Sequence, residues 1–308
     1  MKIAVIDLGT NQFHLLIAEL TPEKKFNILA KEDRFVRLGE GAINESFIIP
    51  AAVERAVTAM QDFKKIIDQY NCQKVGAVAT SAVRNAKNGQ AFIQRIAETT
   101  GIQVEIIDGD REAELIYEGI RNAISIPETS LIVDIGGGSV EFIICNSAEM
   151  FWKSSVEIGA QRLFYRFHTI DPIPAENVVA LNQYLARVLQ PLSKAVAIYK
   201  PQVIIGASGS FSTLYKLYAA MNQIHYQPDQ SEYYLPIEEY YHVHKQLLLK
   251  NRIERGEMPG MKPERKDLIV TASCIVHFVV RLFNIQKIRV VNASLREGLL
   301  VWLAANHC

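Results

Sequence analysis

The amino-acid sequence predicts an α/β protein of two lobes, each opening with a β-hairpin that carries an aspartate. Apolar, β-branched runs of strand length alternate with amphipathic segments of helical spacing, a pattern typical of α/β layers. The pattern restarts after Pro127. The chain has 308 residues, and single hydrophobic cores stop growing at about 250–300 residues. We therefore expect an N-terminal lobe over residues 1–124, a C-terminal lobe over residues 125–308, and a cleft between them.

The first lobe is expected to begin with strand, tight glycine turn and strand in "KIAVIDLGTNQFHLLIAEL". An amphipathic helix follows in "IPAAVERAVTAMQDFKKIIDQY", where Pro50 lies near the predicted start. Short buried strands are predicted in "KVGAVAT" and "IQVEII", and helices in "GQAFIQRIAETTG" and "DGDREAELIYEGIRNAI". This alternation of strands and helices favours a sheet with a parallel component.

The second lobe is expected to begin with the hairpin "LIVDIGGGSVEFIIC" and a further strand near "MFWKSSVEIG". A long helix should follow from residue 174 to residue 199, kinked or split by Pro191, which cannot donate a backbone hydrogen bond. The segment "PQVIIGASGSFSTLYKLY" predicts strand, Gly/Ser turn and helix. Residues 236–286 look mostly helical, and the chain closes with the strand "KIRVVN" and the helix "SLREGLLVWLAA".

The two hairpins form an internal repeat that places Asp7 on Asp134 and Gly9 on Gly136. Glycine-rich turns let a ligand approach the backbone closely, so their N–H groups can converge on an anion. A carboxylate cannot itself bind phosphate, so an acid at such a turn implies a cation or an ordered water, and Mg²⁺ fits. Alternatively, the glycines only shape the hairpins and the aspartates cap them.

The composition points away from nucleic acids and membranes. Lys plus Arg number 33 and so do Asp plus Glu, so bulk charge draws the chain to neither partner. No segment approaches the roughly 18–20 apolar residues of a membrane span. The scattered cysteines suggest free thiols in a reducing compartment; they are Cys72, Cys145, Cys274 and Cys308. We expect a cytoplasmic protein.

Several motifs occur along the chain in a fixed order: "VIDLGTNQFHLLI", "ATSAVRNA", "IIDGDREAELIY", "VDIGGGSVEF", "IGASGS" and "SLREGLL". In this order they resemble the exopolyphosphatase and guanosine pentaphosphate phosphohydrolase family, Ppx/GppA. That family lies within the sugar kinase, Hsp70 and actin superfamily. The resemblance implies an actin-like ATPase fold of ribonuclease H-like lobes. It covers the whole chain and is closest to the short, two-lobed members.

The resemblance implies hydrolysis of the terminal phosphoanhydride of inorganic polyphosphate, of the 5′-phosphate of pppGpp, or of both. It also implies dependence on Mg²⁺ or Mn²⁺ and commonly a homodimer. Two other functions remain open, because sugar kinases and actin-like scaffolds share the hairpins. The motif around Glu112 and "LREGLL" favour the hydrolase over both.

The resemblance also assigns roles to individual residues. Glu112 falls on the family's general base, and the family's metal or phosphate roles fall on Asp134 and Glu141. Phosphate contacts fall on Gly9, Thr10, Asn11, Arg84, Gly136, Gly137, Gly138, Ser139 and Gly209. Further candidates are Asp7, Arg37, Arg265 and Arg296.

Glu112 can also be interpreted without the family. If Asp110 caps the helix, Glu112 lies in the first turn, where the helix dipole favours an ionised carboxylate that could accept a proton. A surface glutamate that merely stabilises the helix dipole is the alternative. Many relatives carry an acid where this chain has Arg111, which could add a phosphate contact or point to solvent.

The chain also has a strong local excess of positive charge. Seven basic and three acidic residues lie between Lys245 and Lys266. This segment could guide a polyphosphate tail, or it could simply be solvated.

Overall fold

The computed structural model describes residues 1–23, 25–228 and 230–306. Cys308, expected to be a free thiol, lies outside these residues. The chain divides into two compact units. Unit 1 comprises Met1–Asn122 together with the segment from Ser294 onward, and unit 2 comprises Ala123–Ala293. The first junction lies within two residues of the predicted boundary at 124. The assignment of the C-terminal helix to the second lobe was wrong, because this helix packs on the first two strands of unit 1.

The described elements are as follows in chain order. The first part of the chain contains β1 (Lys2–Leu8), β2 (Gln12–Leu20), β3 (Phe26–Phe35), α1 (Pro50–Gln69), β4 (Lys74–Ala79), α2 (Ser81–Arg84), α3 (Gly89–Thr100), β5 (Glu105–Ile106) and α4 (Gly109–Ala123). The rest contains β6 (Ser130–Ile135), β7 (Val140–Cys145), β8 (Met150–Val156), α5 (Ala160–Phe167), α6 (Ala175–Val188), α7 (Gln190–Tyr199), β9 (Val203–Ala207), α8 (Ser208–Met221), β10 (Glu232–Leu235), α9 (Ile237–Leu249), α10 (Arg252–Gly256), α11 (Ile269–Leu282), β11 (Lys287–Val291) and α12 (Leu295–Ala305).

The two units repeat one strand order. The described part of unit 1 holds a sheet ordered β3-β2-β1-β4-β5, in which β1, β2 and β3 are antiparallel neighbours and β4 and β5 continue in parallel with β1. In unit 2 the order β8-β7-β6-β9-β11 has the same directions, and β10 is added antiparallel to β11. The α/β class and the duplicated, actin-like strand order expected from the sequence are confirmed.

Burial explains the apolar strands. Alternate residues of β1, including Ile6 and Leu8, join a core that α1 and α3 cover, while α12 packs on the same strand. In unit 2, all residues of β6 and β7 are buried, so Asp134 and Glu141 lie in strands without an exposed face. Strands buried on both faces read as continuous apolar runs, which is why these two acids stand out.

Two local expectations can be compared with the structure. The long helix over 174–199 is split into α6 and α7, and Pro191 lies in the first turn of α7, as predicted. The sequence analysis assigns no element to the tyrosine-rich segment before residue 236, and the structure shows that it forms the edge strand β10. Within the described ranges, no helix is long and apolar enough to cross a membrane.

Candidate active site

In unit 1, three candidate residues follow the carboxyl ends of neighbouring parallel strands. Asp7 lies one residue before the end of β1, Arg84 ends α2 directly after β4, and Glu112 lies in the first turn of α4 after β5. Strands β1, β4 and β5 run in parallel, so their carboxyl ends share one edge of the sheet. Ligand sites of open α/β sheets form at such edges.

The structure joins Glu112 and Arg84 directly. The Arg84 Nη1 donates to Glu112 Oε2 at 2.8 Å and to the Ile107 carbonyl at 3.1 Å. The side chain of Glu112 is 8% exposed and that of Arg84 is 16% exposed, so this is a shielded ion pair. A charge-assisted bond of this kind fixes the orientation of the carboxylate. An ionised, oriented carboxylate can take a proton from water.

The helix that carries Glu112 starts differently from the expected arrangement. Asp108, rather than Asp110, supplies the capping oxygen, since its Oδ1 accepts from the Arg111 amide at 2.7 Å. The first helical bond then runs from the Glu112 amide to the Asp108 carbonyl at 3.0 Å. The predicted cap was therefore wrong by two residues, and Glu112 still belongs to the first turn. The helix dipole stabilises an anion at this position.

Arg111, where the resemblance leads one to expect an acid, contacts Glu114 and α12. Its Nη1 bonds Glu114 at 3.2 Å, and its guanidinium carbon lies 4.9 Å from the ring centroid of Trp302 in α12. The side chain is therefore held by Glu114 and by α12 and is not merely solvated.

The first glycine turn is braced by the loop that follows β3. The Gly9 amide donates to the Gln12 carbonyl at 3.1 Å, and a side chain at Gly9 would collide with that oxygen. The Thr10 carbonyl accepts from Gly39, and the Asn11 carbonyl accepts from Arg37 at 2.9 Å. Arg37 has a positive φ of 54° and an exposed side chain. The structure therefore places Arg37 beside the predicted phosphate-binding turn.

A row of charged side chains crosses this sheet behind the turn. In the strand register, His14 lies opposite Asp7 on one side and Asp33 on the other. His14 Nδ1 and Asp33 Oδ1 are 2.6 Å apart, and Arg296 reaches Asp33 at 3.6 Å and Glu297 at 3.0 Å. Burial alone would lower the pKa of Arg296, but Glu297, Asp33 and Asp7 raise it above its ordinary value. Arg296 is thus held by acids of its own unit.

The second glycine turn, in unit 2, presents amides in one direction. The carbonyls of Gly136, Gly137 and Gly138 accept from the first amides of α5 and from Gly159, at 2.9–3.0 Å. In a trans peptide the N–H points opposite to the C=O. The amides of Gly137, Gly138 and Ser139 therefore point away from α5, where they can converge on an anion. A Cβ at Gly159 would lie 2.4 Å from the carbonyls of the turn, which makes this contact specific to glycine.

Asp134 and Glu141 lie directly opposite each other where this turn begins and ends. They are 6% and 2% exposed, and Ser155 donates to Glu141 Oε1 at 2.7 Å. Opposed carboxylates repel, so a cation between them relieves the repulsion. The described residues contain no group of three or more His, Cys, Asp and Glu side chains that could hold a metal. The pair fits Mg²⁺, which one or two carboxylates bind together with water and phosphate oxygens.

A third turn lies beside the second, because β9 pairs in parallel with β6 and Asp134 is level with Ala207. Ser208 has a positive φ of 64° at the start of α8, and Ser210 donates to the Ile135 carbonyl at 3.2 Å. The guanidinium of Arg265 lies against Gly209, since a Cβ there would be 2.1 Å from Arg265 Nη2. The structure thus brings together Gly209 and Arg265.

The charges of the basic segment fall into two groups. Arg255 is buried, bonds Asp171 at 2.6 Å and binds two backbone carbonyls, while Arg252 pairs with Asp267 at 2.5 Å. These two arginines stabilise unit 2. Lys262 and Arg265 instead lie close enough to Lys216 to lower its pKa, although burial is the larger cause.

Four features near the predicted site residues were not predicted from the sequence. They are the Asp108 cap, the bond from Ser155 to Glu141, the position of Lys216 near Lys262 and Arg265, and the bond between His14 and Asp33. Ser155 and Asp33 could have been found by extending the repeat one strand further, since each lies opposite the residue that the repeat aligned, Glu141 and His14 respectively. Lys216 carries no signal in the sequence, because its partners are 46 and 49 residues away along the chain.

The fold and the site define an α/β protein with glycine turns and an oriented carboxylate at the ends of its strands. Comparison with known proteins shows which family has this fold. Residues 16–307 match the Ppx/GppA phosphatase family. The crystal structure of an exopolyphosphatase from Cytophaga hutchinsonii has a TM-score of 0.96 and 40% identity, covering 99% of this chain and 98% of that one. The crystal structure of the Ppx/GppA member from Aquifex aeolicus has a TM-score of 0.82 and 26% identity, covering 100% and 99%. The chain belongs to the Ppx/GppA phosphatase family.

Proposed function

We propose that this protein is an exopolyphosphatase that releases orthophosphate from the end of inorganic polyphosphate with Glu112 as general base. The observation that carries the proposal is the shielded Glu112–Arg84 pair at the carboxyl edge of a parallel sheet. A surface glutamate that only stabilised a helix dipole would not be 8% exposed and held by an arginine.

Glu112 accepts a proton from the attacking water in the proposed reaction. The water oxygen forms a bond to the terminal phosphorus, and its proton passes to the Glu112 carboxylate. The bond from this phosphorus to the bridging oxygen breaks, and the shortened chain leaves with the electron pair. Arg84 holds the carboxylate in place, and a guanidinium is a group whose planar fork suits phosphate oxygens. Such proton transfer contributes roughly 10²- to 10⁴-fold to the rate.

The glycine turns would bind the phosphate oxygens through backbone amides. The second turn would supply the amides of Gly137, Gly138 and Ser139, and Arg265 would supply positive charge beside Gly209. Asp134 and Glu141 would hold Mg²⁺ or Mn²⁺. When bound, this ion would neutralise charge on the phosphate oxygens.

Polyphosphate is favoured over pppGpp because the Cytophaga protein, at 40% identity over 99% of this chain, is an exopolyphosphatase. The alternatives remain pppGpp hydrolysis, a small-molecule kinase and an actin-like scaffold. The homodimer stays a prediction from the resemblance, and the cytoplasmic location stays a prediction from the composition.

The test is a substrate panel. The purified protein is incubated with Mg²⁺ and long-chain polyphosphate, pppGpp or ATP, with no acceptor, and again with excess EDTA. We expect metal-dependent orthophosphate release from polyphosphate at a higher kcat/KM than from the other two. Faster release from pppGpp would favour the guanosine substrate. ADP formation only when an acceptor is added would indicate a kinase, and ATP-dependent filaments would indicate a scaffold.

A further inference from the structure

Helices α4 and α12 touch through three successive turns. Arg111, Leu115 and Gly119 are spaced by four residues along α4, and so are the contacting residues Ser294, Gly298 and Trp302 at and within α12. The pairs run in opposite directions: Arg111 meets Trp302, Leu115 meets Gly298, and Gly119 meets Ser294. Residues four apart lie on one face of a helix, so this is an antiparallel packing in register.

Two of these contacts, Leu115–Gly298 and Gly119–Ser294, leave no room for a side chain at either glycine. A Cβ at Gly298 would lie 1.7 Å from the Leu115 carbonyl oxygen. A Cβ at Gly119 would lie 2.3 Å from the Ser294 carbonyl oxygen and 2.7 Å from the Gly298 amide. The two backbones are therefore in direct contact, and this distance of approach requires glycine on both helices.

The third contact lies next to Glu112. The guanidinium carbon of Arg111 is 4.9 Å from the Trp302 ring centroid, within the range of a cation–π interaction. Trp302 is half-buried. Arg111 immediately precedes Glu112, so the ring of Trp302 restrains the turn of α4 that carries the carboxylate.

The strand that leads into this turn is short. The strand before α4, β5, has two residues and pairs with β4 only through Glu105 and Ile106. By contrast, α12 packs on the long strands β1 and β2 of the same unit. Helix α12, the last described element, is therefore anchored on two strands of the sheet.

We propose that α12 positions the proposed general base, and that Trp302 and Gly298 are positioning residues acting through Arg111 and Leu115. This inference rests on the proposed function, because it concerns the placement of Glu112. A displacement of about 1 Å at a catalytic group can cost about 100-fold in rate. A variant that loosens the packing of α4 on α12 should therefore have a lower kcat. Its affinity for phosphate, which the glycine turns provide, should stay close to the original value.

The experiment measures kcat, KM and thermal stability for Trp302→Ala, Trp302→Phe and Gly298→Ala with polyphosphate and Mg²⁺. We expect kcat to fall about tenfold or more in the two alanine variants with KM within about twofold, and Trp302→Phe to recover most of the rate. Trp302→Leu replaces Trp302→Ala if the latter does not fold. The control variant is Trp152→Ala. Trp152 is the other tryptophan of the chain, and it is also half-buried but lies in unit 2, whereas α12 belongs to unit 1.

The decisive comparison repeats Trp302→Ala in the E112Q background. A residue that acts through Glu112 has little further effect on kcat once the base is removed, whereas a purely structural residue lowers kcat by the same factor in both backgrounds. Equal factors, or an unchanged kcat in Trp302→Ala, would overturn the proposal. A wild-type protein with no phosphohydrolase activity would refute the proposed function instead, so the two failures are distinguishable.

Discussion

At the scale of single residues, the chemistry depends on a contact between Glu112 and a cation 28 positions away along the chain. The sequence places Glu112 in a first helical turn, and the structure agrees. It could not reveal that Arg84 is the partner, because the two meet only when β4 and β5 pair in parallel. The misplaced cap has a simpler origin: Asp108 and Asp110 both flank Gly109, and helix starts are ambiguous by one or two residues.

Arg84→Gln should lower kcat/KM by about 10- to 100-fold, because a hydrogen bond to a charged group is worth about 1.5–3 kcal/mol. Arg84→Lys should be intermediate, since it keeps the charge and loses the planar fork. Steady-state kinetics of both variants with polyphosphate would measure this.

The matched control is Arg95→Gln, which breaks an exposed ion pair with Glu54 in the same unit and should leave the kinetics unchanged. The interpretation also requires the losses in Arg84→Gln and Glu112→Gln to be strongly non-additive. Fully additive losses would show that the two residues act separately.

At the scale of elements, the glycine turns explain how an apolar hairpin becomes an anion site. The triple-glycine turn of unit 2 gives its carbonyls to α5, which satisfies the first amides of that helix and leaves the amides of the turn facing the other way. The sequence indicates the turn and its acids. The contact with Gly159 follows only from the return of β8 to the sheet, so the role of α5 was not predictable.

Two stacked histidines on helices α9 and α11 should make the free energy of unfolding depend on pH. His244 in α9 stacks on His277 in α11 with ring centroids 4.3 Å apart, and its Nδ1 lies 3.0 Å from Ser273 Oγ. Burial, followed by the neighbouring His277, lowers the pKa of His244 from 6.5 to about 3. The pKa of His277 is also lowered, by burial and by Arg281.

Because the unfolded chain binds this proton more readily, stability is complete above pH 6.5 and decreases as the pH falls from 6.5 towards 3. Within that window, we expect the titration of His244 to lower the free energy of unfolding by about 1.4 kcal/mol for each pH unit. Urea unfolding across this range should show the decrease in wild type and in the exposed control His225→Gln, and a shallower decrease in His244→Phe. An equally steep decrease in His244→Phe would rule out His244 as the cause.

At the scale of the whole molecule, the two units share the order and directions of five strands but carry different side chains at matching positions. The row Asp134, Glu141 and Ser155 of unit 2 corresponds in register to Asp7, His14 and Asp33 of unit 1. The row in unit 2 presents two carboxylates suited to a cation. The row in unit 1 alternates acids with a histidine, and Arg296 contacts its Asp33. The repeat was visible in the sequence as two hairpins. The return of the chain to unit 1 through α12 was not, because an apolar C-terminal helix fits either sheet.

The central claim is that Glu112 acts as the base in the release of phosphate from polyphosphate. The most direct test is the initial rate of orthophosphate release with Mg²⁺ by wild type, Glu112→Gln and Glu118→Gln. Glu118 is on the same helix and forms an ion pair with nearby Arg121, so it serves as the control. We predict that Glu112→Gln lowers kcat by roughly 10²- to 10⁴-fold with little change in KM, and that Glu118→Gln matches wild type. Turnover near the wild-type level in Glu112→Gln would contradict the account.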